Sequence, residues 1–306
     1  LMLVAAMLRL AAGPSFAADA IRIGLMCPLT GKWASEGQDM QQIVSLLVSE
    51  VNKAGGINGK QIELIVEDDA GDPRTASLAA QKLASAGVMA VIGTYGSAVT
   101  EASQNIIDEA EIMQIATGST SVRLTEKGLP LFFRTCPRDD EQGRVASKVI
   151  AAKGFKKVAI LHDNSSYAKG LAEEAQKGLK DAGVPVVFYD ALTPSERDYT
   201  AILTKLKAAD PDLIFFTGYY PEAGMLLRQK KEMHWDVPMM GGDAANNTDL
   251  VKIAGKDAAN DRSNNRSQEQ NDQHPIGGKG RQSVNIVRRH PLFCDLPQEV
   301  FPHQPD

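Results

Sequence analysis

The sequence predicts an α/β fold whose mostly parallel sheets are flanked by helices. The first observation behind it is an alternation of short apolar runs with longer amphipathic ones, from residue 21 to about residue 259. The second is the make-up of the short runs. They are rich in Ile, Val, Leu and Phe and bounded by Gly, Asp or Pro, as strands buried on both faces are. The third is punctuation: Gly55, Gly87, Gly154 and Gly183 each follow a helical stretch, where a helix end favours positive φ.

Taken in order, a strand at 21–26 is followed by a helix at 38–54, which stops at Gly55-Gly56. The segment Gly55-Gly56-Ile57-Asn58-Gly59-Lys60 superficially resembles a phosphate loop. Its spacing is wrong and Gln61 replaces the Ser or Thr that would hold magnesium, so it reads as a turn into a strand at 61–67. Glu67-Asp68-Asp69 with Gly71-Asp72-Pro73 reads as turn and capping chemistry ahead of a helix at 74–86, with a carboxylate or metal pair as the weaker alternative. Strands at 88–92 and 112–116 enclose a helix at 99–109. A strand-like run at 131–135 then leads into Cys136-Pro137-Arg138-Asp139-Asp140, and a second strand–helix series restarts at Lys157. Residues 135–141 are therefore expected to cross between two lobes, each with its own core. The second series has strands at 157–162, 186–189 and 213–217, and helices at 142–153, 168–182, 199–208 and 222–233.

The two ends differ from this pattern. Residues 1–18 are almost wholly apolar, carry Arg9 as their only charge, and run into Ser15-Phe16-Ala17-Ala18. That is expected of a secretory signal peptide, and the apolar run is short for a membrane span. After residue 259 Ala, Thr, Tyr, Met and Trp vanish, while Asn, Gln and Arg crowd in. Residues 260–306 are expected to be an atypical tail, either disordered or the product of a shifted reading frame. The expected organisation is a signal peptide at 1–18, lobe 1 at 19–137, lobe 2 at 138–259 and the tail at 260–306.

Composition narrows the function. With 306 residues, 43% hydrophobic and 23% charged, the chain has the make-up of a soluble globular protein. A net charge of −5 argues against a nucleic-acid partner. Cys27, Cys136 and Cys294 form no CxxC motif, and the simplest reading is separate thiols, although Cys27 and Cys136 each follow a strand and could meet. No GxSxG, HExxH, GxGxxG or complete P-loop occurs, so no enzyme activity and no cofactor are expected. His274, His290 and His303 are too irregularly spaced for a metal site, and no metal is expected.

Loops that follow strands are more informative. Gly93-Thr94-Tyr95-Gly96-Ser97 and Thr117-Gly118-Ser119-Thr120-Ser121 end two successive strands. In open parallel sheets ligands gather at the carboxyl ends of strands, and hydroxyls with free N–H groups at a helix start suit a carboxylate. Ordinary N-capping by Ser97 and Ser119 is the competing explanation. In the second half Tyr167, Tyr219, Tyr220 and Asp243 each sit just past a strand-like run. Their hydroxyls can bond a ligand and Asp243 could balance an ammonium.

At these residues the sequence resembles the type I periplasmic binding proteins of ABC importers, specifically the branched-chain amino acid (leucine/isoleucine/valine) group. The resemblance spans about residues 21–259. It is carried by Asn52-Lys53-Ala54-Gly55-Gly56-Ile57-Asn58-Gly59, Asp68-Asp69-Ala70-Gly71-Asp72-Pro73, Val91-Ile92-Gly93 and Leu124-Thr125. In the second half it continues through His162-Asp163, Tyr167, Gly170-Leu171 and Gly218-Tyr219-Tyr220-Pro221-Glu222. It implies a two-lobed Venus-flytrap fold, a periplasmic location, membrane permease subunits as partners, and hinge closure on an amino acid or related amide. Carried over, Ser97 and Thr120 would bind the α-carboxylate and ammonium with help from the carbonyl near Gly118, and Ser119 lies beside them. Tyr167 and Tyr219 would close from lobe 2, and Asp243 would neutralise the ammonium where branched-chain binders have Glu. Glu36 stands where leucine binders place an aromatic residue, with Trp33 close by, which implies a ligand with a polar, cationic or amide portion. Gly71 and Gly96 stand where some relatives have a disulfide. Family members also continue beyond residue 259 to complete lobe 1, so the C-terminal part of that lobe is expected to be missing and the product unstable or poorly competent, a non-functional truncated binding protein being one alternative. Two other functions compete: a flytrap ligand sensor, and a hydrolase that would need His162 beside Ser97 or Ser119.

Overall fold

The computed structural model describes residues 20–255. The expected signal peptide and tail lie outside the described residues, as does Cys294. The first sheet contains β1 (Ile21–Cys27), β2 (Ile62–Asp68), β3 (Ala90–Ile92), β4 (Met113–Ala116) and β5 (Phe132–Arg134). The helices joining them are α1 (Ala34–Lys53), α2 (Pro73–Ser85), α3 (Ser97–Glu109) and the single turn α4 (Arg123–Glu126). The second sheet contains β6 (Val158–His162), β7 (Val186–Ala191), β8 (Leu213–Phe216) and β9 (Met239–Gly241). It is preceded and covered by α5 (Asp139–Ala152), α6 (Ser166–Asp181), α7 (Thr200–Ala208), α8 (Tyr220–Glu232) and α9 (Asp249–Ala254). Residues Asp243–Ala245 form a short 3-10 turn after β9.

Strand order is β2-β1-β3-β4-β5 in one sheet and β7-β6-β8-β9 in the other, with every pairing parallel. The expected strands are all present. Burial explains their composition: Val158, Ala159, Ile160 and Leu161 of β6 are wholly inaccessible, as are Leu25, Met26 and Cys27 of β1. A strand covered on both faces can keep an unbroken apolar run. Gly55, Gly87, Gly154 and Gly183 all adopt positive φ after their helices.

Helix starts are where sequence and structure part. Helix α1 begins at Ala34 and not at 38, α5 at Asp139 and not at 142, and α8 at Tyr220 and not at 222. In α1 the early Gly37 disguises the first turn, because glycine is a poor helix former. Its Cβ would lie 2.1 Å from the Pro28 carbonyl oxygen, so packing against the β1 loop dictates the residue. In α5 the run Asp139-Asp140-Glu141 looks like polar linker but occupies the first turn, where carboxylates favour the positive end of the helix dipole. The crossover between sheets is thus shorter than 135–141 and ends before Asp139.

Cys27 and Cys136 are both free. Burial pushes their thiols up to about 12 and about 11. On the outer side of α1, Ile43 and Leu47 are more than half exposed, with Leu46 beside them.

Candidate ligand-binding cleft

In each sheet the chain leaves a central strand in one direction and returns on the other side. The switch falls between β1 and β3 in the first sheet and between β6 and β8 in the second. Loops diverge at such points and leave a crevice at the carboxyl ends of the strands. Here the loops of the two sheets meet. The indole of Trp33, after β1, lies against the ring of Tyr219, after β8, with centroids 4.1 Å apart. Tyr95 meets both edge-on, at 5.6 Å from Trp33 and 5.7 Å from Tyr219. Tyr167, in the first turn of α6, lies 5.2 Å from Tyr219.

Polar contacts cross the same seam. The Tyr220 hydroxyl donates to the Lys32 carbonyl at 3.0 Å and pairs with the Ser35 hydroxyl at 3.0 Å. Tyr95 donates to the Ala244 carbonyl at 3.4 Å, and the Asn247 amide donates to Glu36 Oε2 at 3.0 Å. Trp33 is held in place by two glycines: a Cβ at Gly71 or Gly96 would lie 2.6 or 2.7 Å from its ring. The positions that the family resemblance linked to a disulfide here accommodate an indole.

The hydroxyl loops have distinct jobs. Ser97 opens α3 but does not cap it; Gly96 is the N-cap and contributes no side chain. The Ser97 hydroxyl accepts from the Ser121 N–H at 3.2 Å, which leaves its own hydrogen to donate. Ser119, expected beside the ligand or as a cap, caps no helix, because Val122 is the N-cap of α4. Its hydroxyl pairs with that of Thr100 and reaches the carbonyls of Thr94 and Tyr95 at 3.1 and 3.2 Å, so it braces one loop against the other. Gly118 packs its α-carbon against Tyr95, since a Cβ would approach that ring to 2.8 Å. Arg134 of β5 supports the loop from below, donating to the carbonyls of Ser119 and Ser121 at 3.1 and 2.9 Å. Thr120 is fully buried and its Oγ1 has no hydrogen-bond partner.

On the lobe-2 side Asp243 Oδ1 receives the Tyr167 hydroxyl at 2.8 Å and the Gln142 amide at 3.1 Å. The Asp243 N–H donates back to Gln142 Oε1 at 2.8 Å, which locks the 3-10 turn to α5. Asp139, where the chain enters the second lobe, donates its N–H to the Thr120 carbonyl at 3.0 Å. Its carboxylate is wholly inaccessible and both oxygens lack partners. Burial, reinforced by the charge of Asp243, pushes Asp139 up to about 7. The Thr120 hydroxyl is near enough to oppose that rise, without a hydrogen bond of ordinary geometry. Burial raises Glu36 as well, against the Asn247 hydrogen bond, and holds Tyr95, Tyr167 and Tyr219 well above the usual phenol range, so all three remain neutral donors.

The structure thus brings Trp33, Glu36, Thr120, Tyr167, Tyr219 and Asp243 to one seam, with Ser97 and Gly118 in its floor. Tyr95, Asp139, Gln142 and Asn247 belong to it and were not singled out from sequence. Tyr95 carried a signal, its place inside a post-strand loop, whereas Asn247 carried none. His162 accepts from the Asn164 N–H at 3.1 Å and lies against Tyr189; it bonds neither Ser97 nor Ser119, so the hydrolase arrangement is not formed. Among the described residues no group of His, Cys, Asp or Glu is placed to hold a metal ion. The acids after β2 cap and turn: Asp68 Oδ1 accepts the N–H groups of Leu29 and Ala70 at 2.8 Å each, and Asp72 caps α2. A separate open groove of about 650 Å³, lined by Glu173, Lys177, Lys180 and Val184, lies at the opposite end of the second sheet. It contains none of the buried unpartnered groups.

The profile of a family described as periplasmic binding protein matches residues 20–263. A leucine-, isoleucine-, valine-, threonine- and alanine-binding protein of Pseudomonas aeruginosa is 39% identical over 243 residues, covering 79% of this chain. A Leu/Ile/Val-binding protein of Rhizobium johnstonii is 38% identical over 252 residues, covering 82% of this chain. The chain spans 65% and 68% of the lengths of these two relatives. Among solved structures, the branched-chain amino acid transporter substrate binding protein of Streptococcus pneumoniae, in complex with isoleucine, superposes with a TM-score of 0.73 at 33% identity. That match covers 78% of this chain and 69% of the other. With parallel sheets, facing switch points and a profile match over most of its length, the chain belongs to the periplasmic binding protein family.

Proposed function

We propose that this protein is the extracytoplasmic substrate-binding component of an ABC importer, with lobes at 19–137 and 138–259 that close by a hinge on an amino acid or related amide. The observation that carries this reading is the set of polar side chains buried without partners where the switch-point loops meet, Thr120 Oγ1 and both oxygens of Asp139 foremost. A buried polar atom without a partner costs about 1–3 kcal/mol, which a ligand with complementary groups would recover. An α-carboxylate suits the first-turn N–H groups of α3 and the free hydrogen of Ser97. An α-ammonium suits Thr120, the Gly118 carbonyl and Asp243, whose two side-chain bonds both fall on Oδ1 and leave Oδ2 free. Tyr167 and Tyr219 would close from lobe 2. The relatives' amino-acid ligands agree with this chemistry, and membrane permease subunits would read the closed form.

Tryptophan fluorescence tests the reading. Of the two tryptophans, Trp33 lies in the seam and Trp235 is buried in the second lobe. An amino-acid ligand is expected to change the emission saturably in the parent chain and not in Trp33→Phe. Emission unmoved by every amino acid and amide tried would refute the reading.

A further inference from the structure

The first sheet is closed on one face and open on the other, and we propose that the chain's own segment between Asp272 and Asp295 folds back over the open face as its cover. Successive strand residues point to opposite faces of a sheet. Val91, Gln114 and Phe132 stand abreast on β3, β4 and β5, and all three are buried. Val91 shares one cluster with Leu83 of α2 and Ile107 of α3. Ile92, Ile115 and Phe133 stand abreast on the other face; the first two are only half-buried and Phe133 is 49% exposed. Parallel sheets are covered on both faces, so among the described residues this sheet lacks an element.

Topology fixes where the gap lies. From β1 the chain moves to β2 on one side, then back past β1 to β3. Right-handed crossovers therefore put α1 on the face opposite α2 and α3. Helix α1 packs on β1 and β2, which leaves a bare strip from β3 to β5. At 4.8 Å per strand interval the strip is about 10 Å across, the width of one further segment of chain. With half-buried Val44 and Val48 facing the sheet, helical phase turns Ile43 and Leu47 toward β3. They are 56% and 54% exposed, and they wall the groove whose floor is Ile92, Ile115 and Phe133.

Charge selects the occupant. Asp39 lies one turn before Ile43 and Glu50 one turn after Leu46, so the wall is acidic at both ends. Neither acid has an ion-pair partner among the described residues. A cover for this groove needs apolar side chains and cations together. Between Asp272 and Asp295 the chain has no acid and carries Lys279, Arg281, Arg288 and Arg289. Val284, Ile286 and Val287 precede the arginine pair, and Leu292 and Phe293 follow it. A second copy of α1 would instead bring Asp39 and Glu50 to the same acids. Reach is ample. Just before α9, Asn247 bonds Ser35 and Glu36 at the start of α1. Leu47 is about 16 Å along the helix from Glu36, whereas residues 256–283 span up to about 90 Å when extended.

Limited tryptic digestion of the native full chain tests the inference, with cleavage at Arg288 and Arg289 followed by mass spectrometry. Cleavage there is expected to be about tenfold or more slower than in a synthetic peptide of residues 273–295, because a docked segment is cut only when it opens. Leu47→Lys should restore most of the peptide's rate; Ile43→Lys repeats the test should that variant not fold. Cleavage of the parent as fast as the peptide overturns the inference, whether a second copy or nothing covers the groove. Protection that rises with protein concentration overturns it as well, since the cover is then another molecule. Protection unchanged in both variants places the segment elsewhere and likewise overturns it.

Discussion

Trp33 owes its position to two absent methyl groups. Its six-membered ring occupies the space between Gly71 and Gly96, and Gly71 also sits at φ +66°. Gly96→Ala keeps an ordinary backbone but drives a Cβ into the indole. It is expected to destabilise the fold by about 1–3 kcal/mol, the usual cost of overpacking, and to weaken ligand binding by shifting the ring. Urea unfolding reads the first effect and near-UV circular dichroism the displaced indole; unchanged values for both would remove Trp33 as the keystone of the seam. At this scale the sequence was partly legible. Tyr167, Tyr219 and Asp243 could be picked out because they follow strands, and parallel sheets collect function there. Ser119 followed a strand too, yet its hydroxyl is spent on Thr100, and nothing in the sequence distinguishes a brace from a contact. Gln142 and Asn247 reach the seam only through tertiary contact, 101 and 211 residues along the chain from the acids they bind, Asp243 and Glu36.

Two element ends carry unusual acids. Asp139 begins α5 at the passage between lobes, and Asp69 lies in the turn between β2 and α2; burial pushes each from its ordinary 3.8 to about 7. A carboxyl whose folded value is raised binds its proton more tightly in the folded state. The stability it contributes is complete below pH 3.8 and is lost as pH climbs from there to about 7, by at most about 1.4 kcal/mol per pH unit for each group. Glu36 acts in the same direction. His162, lowered by burial, acts in the opposite one, and Asp68 and Asp72, held below the carboxylate range, matter only in more acidic solution. Asp139→Asn should therefore flatten the loss of stability between pH 5 and pH 7 relative to the parent, as read by urea midpoints. Parallel pH profiles for the two chains would mean that Asp139 does not titrate in this window. Element types were readable from periodicity alone, whereas helix starts were not. Gly37 and Asp139-Asp140-Glu141 each satisfy a contact or a dipole that local propensity cannot express.

For the molecule as a whole, two cores meet through aromatic side chains. One cluster of buried residues joins the second lobe to Trp33, Tyr95 and Val99 of the first, and another fills the first sheet's own layer with Met26, Leu83 and Ile107. The hydrogen bonds of Tyr220, Tyr95 and Asn247 reinforce that meeting. The two-lobed plan followed from a restarted strand–helix series, because each series must bury its own sheet. How tightly the lobes meet had no sequence signature. The most direct test of the account is thermal unfolding of the full chain with and without a panel of amino acids and amides. The account predicts one cooperative transition whose midpoint rises with the concentration of a particular amino acid and does not rise in Asp243→Ala. A cooperative transition that no amino acid or amide moves, or no cooperative transition at all, would contradict it.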